Sequence, residues 1–167
     1  MSTEDSGADF SEDRKYRFSL WRIWDRSKPL VMFIGLNPST ANETDNDNTI
    51  KSVCRIAKHN GFGGVYMMNC FSVVSMNPDV LKGFYFSPNS YVQTQYVINK
   101  QKLFEIAAKC KAVIFAWGNF KVVKELNCDK ELTQMFPNAL CLAQNKNGSP
   151  KHPLYCKSET KFSKWNH

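Results

Sequence analysis

A chain of 167 residues, 43% of them apolar and 13% aromatic, has the size and the buried mass of one domain. Its net charge of +7 suits polyanion partners, nucleic acid or nucleotides, as well as plain solubility. No apolar run approaches the ~20 residues that span a bilayer, and no secretory signal leads the chain, so a cytoplasmic protein without membrane contact is expected.

Residues 1–13 hold Glu4, Asp5, Asp9, Glu12 and Asp13 and no base. They read as a disordered acidic tail ahead of a single domain over 14–167. Residues 16–24 alternate apolar with polar, as a half-buried strand at a sheet edge does. Residues 30–34 are a continuous apolar run, which suits a central strand covered on both faces; it ends at Gly35. After a polar loop, residues 49–60 have helical spacing, with Asp47 or Asn48 to cap the first turn and Gly61 to stop the last. Residues 64–71 predict a second strand, 76–82 a short helix, and 90–110 a long helix with an apolar stripe. Residues 112–117 predict a third strand, 122–136 a helix, and 140–142 a short fourth strand before a loop over 145–153.

Strands alternating with helices imply right-handed crossovers, hence an α/β fold with a short, mainly parallel four-stranded sheet plus an N-terminal edge strand. Ligands of such sheets bind beyond the carboxyl ends of the strands. Four polar clusters fall there: 35–40, 69–72, 117–119 and 151–153.

In the first cluster, Gly35 lets a ligand or backbone come close, Pro38 stiffens the loop, and the Asn37 amide can orient a water or meet a base edge. The alternative is a turn held by its own Asn, Ser and Thr side chains. Asn69 interrupts an apolar strand and offers both a donor and an acceptor, the pattern that reads a pyrimidine edge; a core Asn bonded to a nearby loop is the alternative. His152 can donate to developing negative charge, or serve its loop. Trp117 and Tyr66 can stack on a base, although aromatics on buried strands are more often core. The six cysteines form no C-x-x-C and have no neighbouring His pair, so reduced thiols are expected, with no metal and no cofactor.

The order Gly35-Leu36-Asn37-Pro38, Met68-Asn69, Phe115-Ala116-Trp117-Gly118 and His152-Pro153 resembles the uracil-DNA glycosylase superfamily. Across nearly all of 16–157 the chain resembles more closely an uncharacterised bacterial and phage family, domain-of-unknown-function family 1643. The residues carrying that likeness are Tyr16-Arg17-Phe18-Ser19-Leu20-Trp21, Phe33 through Ala41, Ala116-Trp117-Gly118-Asn119 and Pro150 through Tyr155.

The glycosylase resemblance implies a three-layer α/β/α domain acting as a monomer on DNA by base flipping. Under it Asn37 places water and His152 polarises the departing base. Asn69, Gly35, Leu36, Trp117 and Gly118 surround that base. Pro38, Ser39, Thr40, Lys151, Leu154, Tyr155 and Lys157 contact DNA, Leu154 or Tyr155 filling the gap left by the flipped nucleotide. The fourth loop departs from the superfamily pattern, reading His-Pro-Leu-Tyr rather than His-Pro-Ser-Pro-Leu.

Two functions fit these residues. One is a hydrolase of the N-glycosidic bond of a modified or mismatched base. The other is a module that binds a nucleotide, nucleic acid or protein in the same pocket without cleaving it.

Overall fold

The computed structural model describes residues 5–166. Seven strands form one sheet in the order β1-β2-β4-β3-β5-β6-β7. They are β1 (Asp5–Phe10), β2 (Arg17–Ile23), β3 (Leu30–Gly35), β4 (Gly64–Asn69), β5 (Ala112–Phe115), β6 (Leu140–Cys141) and β7 (Ser163–Lys164). The middle four, β4-β3-β5-β6, run parallel; β1 and β2 on one side and β7 on the other are antiparallel additions.

The alternation of β3 explains why the sheet is covered twice. Val31 and Phe33 enter one apolar cluster with Ile50, Val53 and Ile56 of α1 (Asn48–His59). Met32 and Ile34 enter the other, with Leu81 of α2 (Leu81–Tyr85), Leu103 of α3 (Ser90–Ala107), Val123 of α4 (Lys121–Glu125) and Leu132 of α5 (Cys128–Met135). The chain is therefore a three-layer α/β/α domain. Each fully buried Ile, Val, Leu or Phe contributes about 1.5–3 kcal/mol, so the α1 face fixes the loop that joins it to β3.

Several expectations need correction. The sheet has seven strands, not four plus one at the N-terminal edge, and residues 16–24 supply an interior strand rather than the edge. The edge is β1, within what reads as a disordered tail: residues 5–10 pair antiparallel with β2, while residues 1–4 of that tail lie outside the described residues. Backbone pairing needs little apolar content, and the acids find partners: Asp5 meets Arg26 at 2.8 Å, and Asp9 meets Lys102. The helix expected over 122–136 is two helices, α4 and α5, broken where Asn127 takes a left-handed φ of 56°. The short helix expected over 76–82 begins later, after a 3-10 turn at Pro78–Val80.

Because β2 is antiparallel to β4, its first residues lie where β4 ends, and the Arg17 N–H donates to Ser72 O at 2.8 Å. The pairing of β1 with β2 skips Phe18, which resets the side-chain alternation of β2. Tyr16 and Phe18 join the α3 side, whereas Leu20 joins the α1 side, as do the guanidinium groups of Arg17 and Arg22, which bond to the loop before α1.

Candidate functional site

Gly35 and Asn69 are register partners at the carboxyl ends of adjacent parallel strands. Beyond them the loops diverge and leave a cavity of about 230 Å³. Its walls include Gly35, Leu36, Asn37, Pro38 and Ser39 from the loop after β3, Asn69 from β4, and His152 from the last loop. The three residues singled out for chemistry, Asn37, Asn69 and His152, thus line one space.

Each is held differently. Asn37 Nδ2 donates to Ser75 O at 2.9 Å and Val73 O at 3.2 Å, tying the two strand-end loops together. That fixes the amide and leaves Oδ1 without a donor among the described residues. Asn69 is 2% exposed, and its Nδ2 is buried with no partner; no hydrogen bond reaches its Oδ1 either. Gly35 makes this placement possible, since a Cβ there would come 2.9 Å from Asn69 Oδ1. From behind, Asn99 Nδ2 donates to Asn69 O at 3.0 Å and holds the strand end.

His152 precedes a 3-10 turn, Pro153–Tyr155, and its Nδ1 accepts the Leu154 N–H at 3.2 Å. An acceptor Nδ1 leaves the proton on Nε2 in the neutral ring. Burial pushes its pKa below 6.5, with Asp47 opposing the shift. Gly118 lies behind the ring at φ 79°, where a Cβ would come 3.3 Å from His152 Cβ.

Trp117 does not enter the cavity. It is 2% exposed and packs on Phe115 and Trp165, with centroids 4.7 and 5.9 Å away. Tyr66 packs on Trp21 instead. Thr40 is exposed and lies outside the lining, as does Lys157, whereas Lys151 anchors the last loop through its backbone N–H to Ala143 O. Leu154 and Tyr155, 48% and 77% exposed, stand beside His152 at the surface.

Several lining residues were not foreseen as site residues, and four of them bear on the chemistry. Phe120 and Met76, 40% and 82% exposed, supply apolar surface at the mouth. Asp47, foreseen only as a helix cap, accepts Ile50 N–H at 2.9 Å through Oδ1 and the Ser39 hydroxyl at 3.3 Å through Oδ2. It is the one carboxylate on the cavity wall among the described residues. Arg17, 3% exposed, donates from Nη1 to Ala41 O at 3.1 Å, and its Nε is buried without a partner. No periodicity signal marks either as functional: Asp47 looks like any N-cap, and Arg17 occupies what reads as the polar phase of an edge strand.

All six cysteines are free thiols, and no cluster of metal-ligating side chains occurs among the described residues. No helix among them is long and apolar enough to cross a membrane. Comparisons with curated proteins and with solved structures find no match. The family model described as "Protein of unknown function (DUF1643)" matches residues 17–154, and the chain belongs to that family.

Proposed function

We propose that the protein recognises a single nucleobase and hydrolyses its N-glycosidic bond, with a modified or mismatched base of DNA as the substrate class. The observation that carries this reading is the Asn69 side chain: almost wholly buried, unbonded at both polar atoms, and on the same cavity wall as Asn37 and His152. A buried polar group left unpaired costs about 1–3 kcal/mol, which a base edge would recover. The cavity is smaller than the ~300–1,000 Å³ of drug-sized clefts, a scale suited to one base.

In this mechanism water held by Asn37 Oδ1 attacks the sugar C1′. The C1′–N bond breaks and its electron pair leaves with the base, where His152 Nε2–H stabilises it. Asp47 takes the proton released by the water, and that proton ends on the departed base. Phe120 and Met76 flank the base; Leu154 or Tyr155 fills the vacated stack, with Lys151 and Lys157 near the backbone. The likeness of the four motifs to the uracil-DNA glycosylase superfamily supports the roles of Asn37, Asn69 and His152, not those of Asp47, Phe120 and Met76. The second reading, binding without cleavage, is favoured by the amide at residue 37, where a carboxylate would activate water better.

The test is a panel of single- and double-stranded oligonucleotides carrying modified or mismatched bases, assayed for free base and abasic sites. Cleavage abolished by Asn37→Ala and His152→Ala in folded protein supports hydrolysis. Salt-sensitive binding with no cleavage would leave the second reading. Neither binding nor cleavage of any nucleobase would overturn the first reading and leave only the protein partner of the second.

A further inference from the structure

Arg17 and Arg22 lie on one strand, both 3% exposed, and both bond to the loop before α1. Their surroundings differ. Arg22 is enclosed by acceptors: Asn46 Oδ1 at 2.8 Å, Asn42 O at 2.7 Å, Trp21 O at 2.9 Å, Asp45 O at 3.3 Å and Gly7 O at 3.4 Å. Arg17 has one acceptor, Ala41 O; its Nε is buried and unpaired, and no carboxylate stands within ion-pair distance of it among the described residues. Arg22 is built into the fold, whereas Arg17 is incompletely satisfied, and it is Arg17 that lines the cavity.

A buried cation with spare donors is expensive unless something negative approaches it. Burial lowers its pKa to about 10, so it keeps its charge at neutral pH. One further feature favours an anion at this wall. Thr49 and Ile50, in the first turn of the 12-residue α1, line the same cavity, and that turn carries no acid. The N-terminal end of a helix holds partial positive charge and open N–H groups. Asp47 is the opposing charge, and it is engaged by the Ile50 N–H and the Ser39 hydroxyl; with Arg17 it leaves the wall balanced in formal charge, so the spare donors of Arg17, not net charge, favour an anion.

We propose that Arg17 and the first turn of α1 form an anion subsite that takes the phosphate attached to the recognised nucleoside. The ligand of the cavity is then a nucleotide unit, either a free mononucleotide or a phosphodiester-linked residue of a nucleic acid. The nucleoside half of this statement rests on the function proposed above; the anion half does not.

The experiment measures affinities of the four deoxynucleosides, their 5′- and 3′-monophosphates and short single-stranded oligonucleotides of the same bases, for the wild type, Arg17→Gln and Arg17→Lys. The melting temperature is recorded in orthophosphate and in chloride of equal ionic strength. The wild type should bind a monophosphate or oligonucleotide at least about tenfold more tightly than the nucleoside, which one charge-assisted hydrogen bond supplies. Arg17→Gln should abolish that preference and the orthophosphate stabilisation, and Arg17→Lys should retain part of both. Tighter binding of the monophosphate than of the oligonucleotide assigns the phosphate to a free nucleotide, and the reverse order to a nucleic acid. If Arg17→Gln does not fold, the wild-type preference and its competition by orthophosphate decide alone. Nucleosides binding as tightly as nucleotides, with no orthophosphate effect, would overturn the subsite and leave base recognition standing. Arg17-dependent orthophosphate stabilisation without binding of any nucleoside or nucleotide would uphold the anion site and overturn base recognition.

Discussion

His152 Nδ1 accepts the backbone N–H of Leu154 at 3.2 Å, and this one bond sets the chemistry of the ring. It holds the imidazole in the tautomer that presents Nε2–H, and burial keeps the ring neutral by pulling its pKa below 6.5. The unfolded chain therefore takes up the proton first as pH falls. Above pH 6.5 both states hold a neutral ring and the native state has its full stability; below it stability declines until the folded pKa is passed. An NMR titration of the ring should give a midpoint below 6.5, and a midpoint above it would contradict the assignment. His152→Ala should cut any turnover by about 10²–10³ while the chain stays folded.

Asp47 combines two tasks that one substitution can separate. As the N-cap of α1 it accepts the Ile50 N–H, and asparagine caps about as well as aspartate. Asp47→Asn should therefore keep the melting temperature and lower turnover, whereas Asp47→Ala should also lose about 1 kcal/mol of stability. The same Asp47→Asn change removes the charge that raises the His152 pKa, so the imidazole midpoint should fall further. An unchanged midpoint would show that the two groups do not interact.

How much of this was legible in the sequence follows from what local pattern encodes. The apolar run 30–34 and its neighbours gave the parallel centre of the sheet because buried strands are recognisable alone. The convergence of Asn37, Asn69 and His152 followed from parallel strands sharing one carboxyl edge. What escaped depends on pairings far apart in the chain. Residues 5–10 become a strand because β2 offers them an edge. Arg17 reaches the site because β2 runs antiparallel and slips register at Phe18, and neither property is written in the local alternation. Trp117 follows the common fate of a strand aromatic, packing in the core, and Phe120, three residues on, lines the cavity instead.

Asn69 and Asn99 give opposite expectations for the same substitution. The Asn69 amide has no partner at either atom, so Asn69→Ala removes a desolvated group along with its packing. Its effect on stability should stay within about 1 kcal/mol, while affinity for the preferred base falls. Asn99, fully buried, donates to Asn69 O at 3.0 Å while its own Oδ1 is buried without a partner, so Asn99→Ala removes that bond and leaves a void behind the strand end. It should cost about 1–3 kcal/mol. Denaturant melts of the two variants check the order, and an Asn69→Ala more damaging than Asn99→Ala would mean that the Asn69 amide is satisfied in the free protein.

Deleting residues 1–14 tests whether β1 is part of the fold or an ornament on it. Its ion pairs, Asp5 with Arg26 and Asp9 with Lys102, are worth little by themselves. The larger loss is elsewhere. β2 would forfeit its whole ladder with β1, Arg22 Nη1 would lose Gly7 O, and the Trp21 indole would lose the Asp5 carboxylate that it donates to at 3.1 Å. Arg22 and Leu20, buried at 3% and 0%, would then stand on an open sheet edge. A chain beginning at Lys15 should melt at least about 5 °C lower, equivalent to about 2 kcal/mol in a domain of this size. It should also self-associate, because an exposed edge with unpaired N–H and C=O groups templates further pairing. Calorimetry and size-exclusion chromatography measure the two effects. A truncated chain that stays monomeric and melts with the full-length protein would return residues 5–10 to the tail that their composition suggests.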